Sequence, residues 1–329
     1  MITTRRSVLS AAAVTVCGVL MSTAAFSQTA ATFPQGPVNL VVPYTPGTGA
    51  DLLARIIGPK LTEKWKVPVI TENRAGASGN IGADLVAKAK PDGLTLLVTA
   101  TAFGTNPALN RKLPFDPIKS FTPVSLMATS ALCLVVAPMV PANNLRGLID
   151  IAKKKPGDLS YSSPGPGTPQ HLTMELLKLS ANIDMVHIPY KGSGGGITDL
   201  MGGHVAAMVS AVQTVAPNVQ SGQLKMLGVM AEERSPIFPN VPTMKEQGFP
   251  DLVVETWYGV LAPAGTPPDV VAKLNAEFDA VLAMPDVRAA LAKQGQVPAG
   301  GPPERMAKMV SSELVRWTKV VDTAKIKAD

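Results

Sequence analysis

Cysteine, histidine and aromatic residues are scarce in this sequence, which contains two cysteines and three histidines and is 5% aromatic. Cys17 lies in the N-terminal leader described below, so Cys133 is the only thiol in the rest of the chain. A single thiol cannot form an intramolecular disulfide, even in an oxidising compartment. The apolar neighbours of Cys133 predict that its side chain is a buried small hydrophobe.

Strong charge of one sign is also missing. The formal net charge is +6, and the longest basic run is the three residues 153–155. Without a basic patch interleaved with aromatic rings, the chain has neither the electrostatic footprint nor the stacking platform of a nucleic-acid-binding protein. We therefore expect no nucleic-acid partner.

Signatures of catalysis are absent as well. The sequence has no Gly-x-Ser-x-Gly elbow, no phosphate-loop lysine motif and no complete Gly-x-Gly-x-x-Gly fingerprint. His171, His187 and His204 lack the spacing of a zinc motif, and His171 is expected to pack in the first turn of a helix. We therefore expect no catalytic residues, no metal and no cofactor, although an exported hydrolase stays open as an unfavoured alternative.

The first 27 residues predict an export signal. Arg5-Arg6 precedes an uncharged run over residues 8–26, which polar residues interrupt too often for a permanent membrane span. Val16 is too large for the position before a lipoprotein cysteine, so we expect cleavage near Ser27 and a soluble protein in the periplasm. The twin-arginine and general secretory routes both remain open.

Apolar β-branched runs alternate with helical patterns along the rest of the chain. Residues 38–98 have the order βαβαβ, which predicts a parallel sheet, and a second such series follows between residues 132 and 230. A strand over 257–261 and three helices complete the pattern. Thr168-Pro169 supplies a cap hydroxyl and a proline at a helix start, and Thr266-Pro267 repeats this pattern. A chain of about 300 residues after the leader predicts two domains.

The turn over residues 43–51 joins the first predicted strand to a helix. Ligands bind at such strand ends, and glycines with free amides at a helix start favour an anion. Asp51 is expected to cap the helix. The next turn contains Arg74, which either binds a carboxylate or braces its own loop, and the small residues 99–102 leave room for a ligand.

The second series contains matching turns over residues 162–168 and 189–196, which are rich in glycine and hydroxyl groups. Two halves with facing turns of this kind suit anion capture by backbone and hydroxyl donors, with affinity that arises from closure. Each turn alone is equally compatible with a flexible connector.

Short motifs in a fixed order span nearly all of the chain after the leader. They are residues 41–44, Gly47, Asp51, 54–55, 72–74, Gly76, 79–82, 91–93, 113–117, 189–192, 202–203, 242–243, Glu246, Gly248 and 262–267. Through them the chain resembles the substrate-binding receptors of tripartite tricarboxylate transporters, also called the Bug family or TctC-like extracytoplasmic solute receptors. Each motif is weak alone, whereas the order and spacing together are specific.

The resemblance implies an α/β fold of the type II periplasmic binding protein class, a Venus flytrap whose two lobes are joined by two crossing strands. Residues 28–130 plus 231–329 would form lobe 1 and residues 131–230 lobe 2, with the helices after Trp257 packed on lobe 1. The implied partners are a small organic carboxylate and the membrane components of the transporter, and a monomer is expected. A sensory receptor for a membrane kinase remains an alternative to transport.

The resemblance also implies that the ligand is held mainly by backbone amides, hydroxyls and water. The expected ligand-binding residues are Tyr44, Gly47, Thr48, Gly49, Asp51, Asn80, Thr99, Thr101, Ser162, Ser163, Gly167, Thr168, Tyr190 and Asp199. Thr48 stands where the family usually has a glycine, so the bound group is expected to differ from that of relatives. The identity of the carboxylate, and whether the contacts are direct or through water, stay open.

Overall fold

The computed structural model describes residues 33–109, 112–190 and 192–326. The predicted export signal and its cleavage site lie outside these residues. None of the helices in the described ranges is both long and apolar enough to cross a bilayer.

The first half of the chain forms the predicted βαβαβ unit. Its elements are β1 (Val38–Val42), α1 (Gly49–Trp65), β2 (Val69–Asn73), α2 (Asn80–Ala87) and β3 (Thr95–Ala100). The strands are parallel in the order β2-β1-β3. Val38, Leu40 and Val42 point to one face of β1 and pack with the buried residues of α1 in one core. The turn after each strand therefore lies at the same sheet edge, as the sequence predicts.

Strand β4 (Phe121–Val136) is 16 residues long, whereas the sequence predicts a strand only over 132–136. Pro123, Ser125 and Thr129 interrupt its apolar pattern, and the register of its pairing shifts between Pro123 and Ser125. Its first part pairs with β9 (Glu255–Pro263) as far as Ala131. From Leu132 onward it pairs with the strands of the second series instead.

The second series contains the predicted strands and helices and one additional helix. Its elements are α4 (Leu145–Lys154), β5 (Ser160–Ser163), α5 (Pro169–Ala181), β6 (Val186–Pro189), α6 (Ser193–Gly202), β7 (Ala207–Ala211), α7 (Val212–Gln220) and β8 (Lys225–Val229). Two helices were not expected from the sequence, namely α7 and, before this series, α3 (Ala102–Leu109). Each contains a proline, and α3 also contains a glycine, so both have the composition of a connector.

The C-terminal region adds α8 (Pro268–Leu282), α9 (Pro285–Lys293), β10 (Val297–Pro298) and α10 (Pro303–Thr323). All three helices begin with proline, whose fixed φ suits the first helical position. The expected cap at Thr266 is wrong: α8 begins at Pro268, and the Thr266 hydroxyl donates to the Pro263 carbonyl at 2.8 Å.

Helix α10 packs on residues of both series. Met306 and Val310 belong to a core with β3 and β9, whereas Trp317, Val320 and Val321 belong to the core of the second series. The indole N–H of Trp317 donates to the buried Glu313 at 2.6 Å. The sequence predicts that the helices after Trp257 pack on lobe 1, and the second part of α10 in addition packs on residues of the second series.

Candidate ligand-binding site

Asp51 organises the turn between β1 and α1. Helix α1 begins at Gly49 with Thr48 in the N-cap position, so Asp51 is the third helical residue and not the cap that the sequence predicts. Its carboxylate instead reaches back past the N-cap residue and accepts the Gly47 amide at 2.9 Å.

The Asp51 carboxylate has further donors. It accepts from Arg55 Nε at 3.0 Å and from Asn73 Nδ2 at 2.9 Å. Burial raises the pKa of Asp51, but the hydrogen bonds from Arg55, Gly47 and Asn73 outweigh it and hold the pKa below its ordinary value. Asp51 is 2% exposed, and its oxygens are occupied by protein donors. The Asp51 carboxylate therefore shapes the turn.

The first turn of α1 offers free donors to an anion. The amides of Gly49, Ala50 and Asp51 precede the first intrahelical hydrogen bond, in which Leu52 donates to the Thr48 carbonyl at 2.9 Å. The helix dipole adds partial positive charge at this end. The half-exposed Thr48 donates its hydroxyl to the Thr45 carbonyl at 3.0 Å, so its side chain closes the turn locally.

The loop after β3 places two threonines in the interior. Thr99 is buried, and its hydroxyl lies 3.1 Å from the hydroxyl of Tyr44. Thr101 is also buried and accepts the Trp257 amide at 2.8 Å. Tyr44 and Thr99 are thus brought together beside the first turn, whereas the Thr101 hydroxyl ties this loop to β9.

The turn before α2 lies against the turn over residues 43–51, which joins β1 to α1. A Cβ at Gly79 would lie 3.0 Å from the Tyr44 ring, and one at Gly82 would lie 2.9 Å from the Cα of Pro43. Asn80 is the first residue of α2 and is 9% exposed. Arg74 forms an ion pair with Glu72 of its own strand, which favours the bracing interpretation over carboxylate binding.

The second series gathers its predicted residues around two turns. Thr168 is the N-cap of α5, as predicted: its hydroxyl accepts the His171 amide at 3.4 Å and donates to the Gly165 carbonyl at 2.8 Å. Ser162 donates to the Gly196 carbonyl at 3.4 Å, and Ser163 lies 2.6 Å from His187 Nε2. These hydroxyls hold the turn over residues 162–168 against β6 and α6.

Tyr190, which directly follows β6, forms a pair with Asp199 of α6. The Tyr190 hydroxyl donates to Asp199 Oδ2 at 2.5 Å, and this hydrogen bond raises the pKa of Tyr190 above its ordinary value. The ring lies over Gly195 and Gly196, where a Cβ would be 3.1 and 3.4 Å from it. The glycines therefore make room for the tyrosine, and Asp199 fixes its orientation.

One contact links the turn over residues 162–168 to a helix that follows the first-series loops. A side chain at Gly167 would collide with Leu109, the last residue of α3, which itself follows the loop over residues 99–101. Gly167 therefore packs against the C-terminal end of α3, the helix that follows this loop. Two surface grooves, of about 380 and 320 Å³, lie elsewhere, and the predicted ligand-binding residues do not line them.

Tyr258 and Gln296 contact the first turn and were missed by the sequence analysis. The Gln296 side chain donates to the Gly49 carbonyl at 3.0 Å, and a Cβ at Gly49 would lie 2.7 Å from ring atoms of Tyr258. Both residues are more than two hundred positions away in the sequence, and no local motif marks them. In the part of the chain that the structure describes, no three His, Cys, Asp or Glu side chains group together as metal ligands would.

Comparison with known proteins gives related receptors and related folds. A family profile described as tripartite tricarboxylate transporter family receptor matches residues 53–326. Protein BugT of Bordetella pertussis (strain Tohama I) is 35% identical over 310 residues, which cover 93% of this chain and 95% of BugT.

Two solved structures of Rhodopseudomonas palustris proteins are similar to this chain. Rpa4515 with adipate is 34% identical with a TM-score of 0.74, and the match covers 90% of this chain and 99% of that chain. MatC (Rpa3494) with bound malate is 33% identical with a TM-score of 0.71, and the match covers 88% and 100%.

Proposed function

Because this chain belongs to the tripartite tricarboxylate transporter receptor family, we propose that it captures a small organic carboxylate in the periplasm and delivers it to the membrane components of such a transporter. The resemblance inferred from the order of the motifs is confirmed. The expected α/β periplasmic binding protein fold is confirmed as well, because solved structures of a periplasmic transporter and of the periplasmic binding protein BugD match 90% of the chain.

The geometry at the start of α1 supports the proposal most directly. Its helix start presents free amides at Gly49, Ala50 and Asp51, and the buried Asp51 holds the preceding loop in a fixed shape. Backbone donors at a helix start bind carboxylates without a side-chain cation. The proposal therefore places the ligand carboxylate at this turn and assigns Asp51 a positioning role.

The rest of the proposed site follows from the neighbouring turns. Gly47, Thr48, Asn80 and the Tyr44–Thr99 pair would line lobe 1, and Thr101 would support them through β9. Ser162, Ser163, Gly167, Thr168 and the Tyr190–Asp199 pair would line lobe 2. The contact of Gly167 with Leu109 supports this opposition of the two sets.

We propose the same lobe limits as the sequence analysis, namely residues 28–130 plus 231–329 and residues 131–230. The change of pairing partner along β4, from β9 at Ala131 to β7 at Leu132, supports the first crossing. The amide of Val254 donates to the Met230 carbonyl at 2.9 Å, directly before β9, which supports the second.

The family and the fold are those of a solute-binding receptor, and we propose that the protein has no catalytic activity and acts as a monomer after cleavage near Ser27. A sensory role beside a membrane kinase would use the same site. Hydrolysis would require an accessible nucleophile beside a base. The Ser163 hydroxyl lies 2.6 Å from His187 Nε2, but it is buried and also bonds to Gly165 within its own turn, which favours a structural role for this contact.

Calorimetry and thermal shift against a library of organic acids at pH 8 test the proposal. Malate and adipate are the first probes, because the two R. palustris relatives are described with these dicarboxylates. An acid at a hundredfold excess over its Kd should stabilise the fold by about 2.7 kcal/mol, with the acid recovered unchanged. If the library gives neither heat nor a rise in Tm, the proposed function is wrong, and the appearance of a product would indicate an enzyme.

A further inference from the structure

Three rings stack beside the turn over residues 162–168. The imidazoles of His171 on α5 and His187 on β6 have ring centroids 4.0 Å apart and an interplanar angle of 12°. Tyr161 on β5 continues the stack, with its centroid 4.9 Å from that of His187. His171 and Tyr161 are buried, and His187 is half-buried.

Each imidazole is tied to a residue of the turn. The Gly167 amide donates to His171 Nδ1 at 3.0 Å, so this nitrogen carries no proton. His187 Nε2 lies 2.6 Å from the Ser163 hydroxyl, which also contacts the Gly165 amide at 3.2 Å. The two rings therefore hold both ends of the turn.

The charged groups around the stack are already paired with one another. Glu175 accepts the Tyr161 hydroxyl at 2.5 Å and Lys178 Nζ at 2.9 Å. Lys178 also lies 5.7 Å from the centre of the Tyr161 ring and 4.0 Å from Asp184. The Glu175 carboxylate is thus shared between a lysine and a phenol.

We propose that His171 and His187 are positioning residues, which hold the turn over residues 162–168 in its ligand-binding shape only while both rings are neutral. Acidification therefore weakens carboxylate binding. This inference rests on the proposed function, because it takes that turn as part of the ligand site. It adds a pH dependence that residues contacting the ligand would not by themselves produce.

The contacts of the two rings predict that protonation loosens the turn. A proton on His171 Nδ1 would point an N–H at the Gly167 N–H, so the hydrogen bond that fixes Gly167 would be lost. Two stacked imidazolium rings at 4.0 Å would also repel each other. Burial is the main cause that lowers the pKa of His187, in agreement with a neutral stack at neutral pH.

Substitution at His171 separates positioning from bulk packing. His171→Asn keeps an acceptor near the position of Nδ1 but does not titrate, whereas His171→Leu fills the space without an acceptor. His187→Gln is the equivalent change in the second ring, and His204→Asn removes the third histidine, which lies outside the stack, as the matched control.

Binding of malate and adipate is measured by calorimetry from pH 8.0 to 5.5, with every variant compared on the same acid so that titration of the acid cancels. For the wild type and His204→Asn, Kd should rise severalfold between the two limits. The upper bound is about tenfold, the rise that one histidine with its ordinary pKa of about 6.5 would give. His171→Asn should lose most of that rise. His171→Leu should bind about fivefold more weakly at pH 8, because one hydrogen bond is missing. An unchanged pH profile in His171→Asn overturns the inference.

A second measurement needs no bound acid. Hydrogen exchange at the Gly167 amide, corrected for its intrinsic pH dependence, should accelerate on acidification in the wild type and stay slow in His171→Asn. Equal protection in both proteins at all pH values contradicts the inference even if neither acid binds. Absence of binding at pH 8 in the wild type would instead count against the proposed function.

Discussion

Gly49 lies against the ring of Tyr258, so close that a Cβ on Gly49 would be 2.7 Å from two ring carbons. The first residue of α1 is thereby packed against β9, and Gln296 holds its carbonyl from the segment before β10. Three parts of the chain that are far apart in sequence thus determine where the free amides of the first turn point.

Gly49→Ala tests this packing. The added methyl must displace the Tyr258 ring, and overpacking of this kind costs about 1–3 kcal/mol. We expect a lower free energy of unfolding in urea and weaker carboxylate binding by calorimetry. Gly36→Ala is the control, because a Cβ there meets nothing within 4 Å. If Gly49→Ala costs as much in a Tyr258→Ala background as in the wild type, the contact is not the cause.

Asp51→Asn removes a buried charge that three protein donors share. Hydrogen bonds to a charged group contribute about 2 kcal/mol, so we expect a loss of that order at pH 7 and weaker binding through a displaced turn. The pKa of Asp51 is lowered in the folded state, so its contribution is complete above the ordinary value near 4 and is lost as pH falls through the folded pKa.

The difference in unfolding free energy between the wild type and Asp51→Asn should therefore narrow below about pH 4. Asp150→Asn is the control, because Asp150 is an exposed carboxylate paired on the surface with Arg146. A constant difference from pH 7 to pH 3 would contradict the role of an ionised Asp51.

Thr48→Gly should change the affinity or preference for carboxylates with little change in stability. The Thr48 hydroxyl donates to the Thr45 carbonyl in its own turn and has no other hydrogen-bond partner among the described residues. Replacing an N-cap threonine by glycine costs a few tenths of a kcal/mol. Thr48→Val keeps the shape and removes the hydroxyl, so the pair separates steric from polar effects. If both variants bound every acid with the same Kd as the wild type, Thr48 would lie outside the site.

Cys133 should be unreactive in the native protein. It is fully buried, and burial raises the pKa of its thiol, so little thiolate is present at neutral pH. A thiol reagent such as Ellman's reagent should therefore label the folded mature protein only after denaturant is added. Rapid labelling without denaturant would show that β4 opens in the native state.

The sequence predicted what local chemistry determines. The βαβαβ unit and the prolines at helix starts follow from patterns a few residues long, as does the Thr168 cap. The length of β4 could not be predicted in this way, because polar residues and a register shift break its periodicity and pairing with β9 holds it together. Tyr258 and Gln296 were missed for the same reason, since their role depends on contacts with a distant turn.

Asp51 illustrates an intermediate case. Its place near a helix start was clear, but its role depends on Asn73, which only the parallel pairing of β1 with β2 brings within reach. A capping residue and a buried anchor look alike in sequence. They differ in what the sheet places beside them.

The double attachment of α10 has a mechanical consequence. Met306 near its start and Trp317 toward its end are embedded in different cores, so the helix runs alongside the two strand crossings as a third connection. A rotation of one lobe relative to the other would bend α10 or displace one end of it from the core in which it packs. The helix would then limit how far the two lobes open before ligand binds.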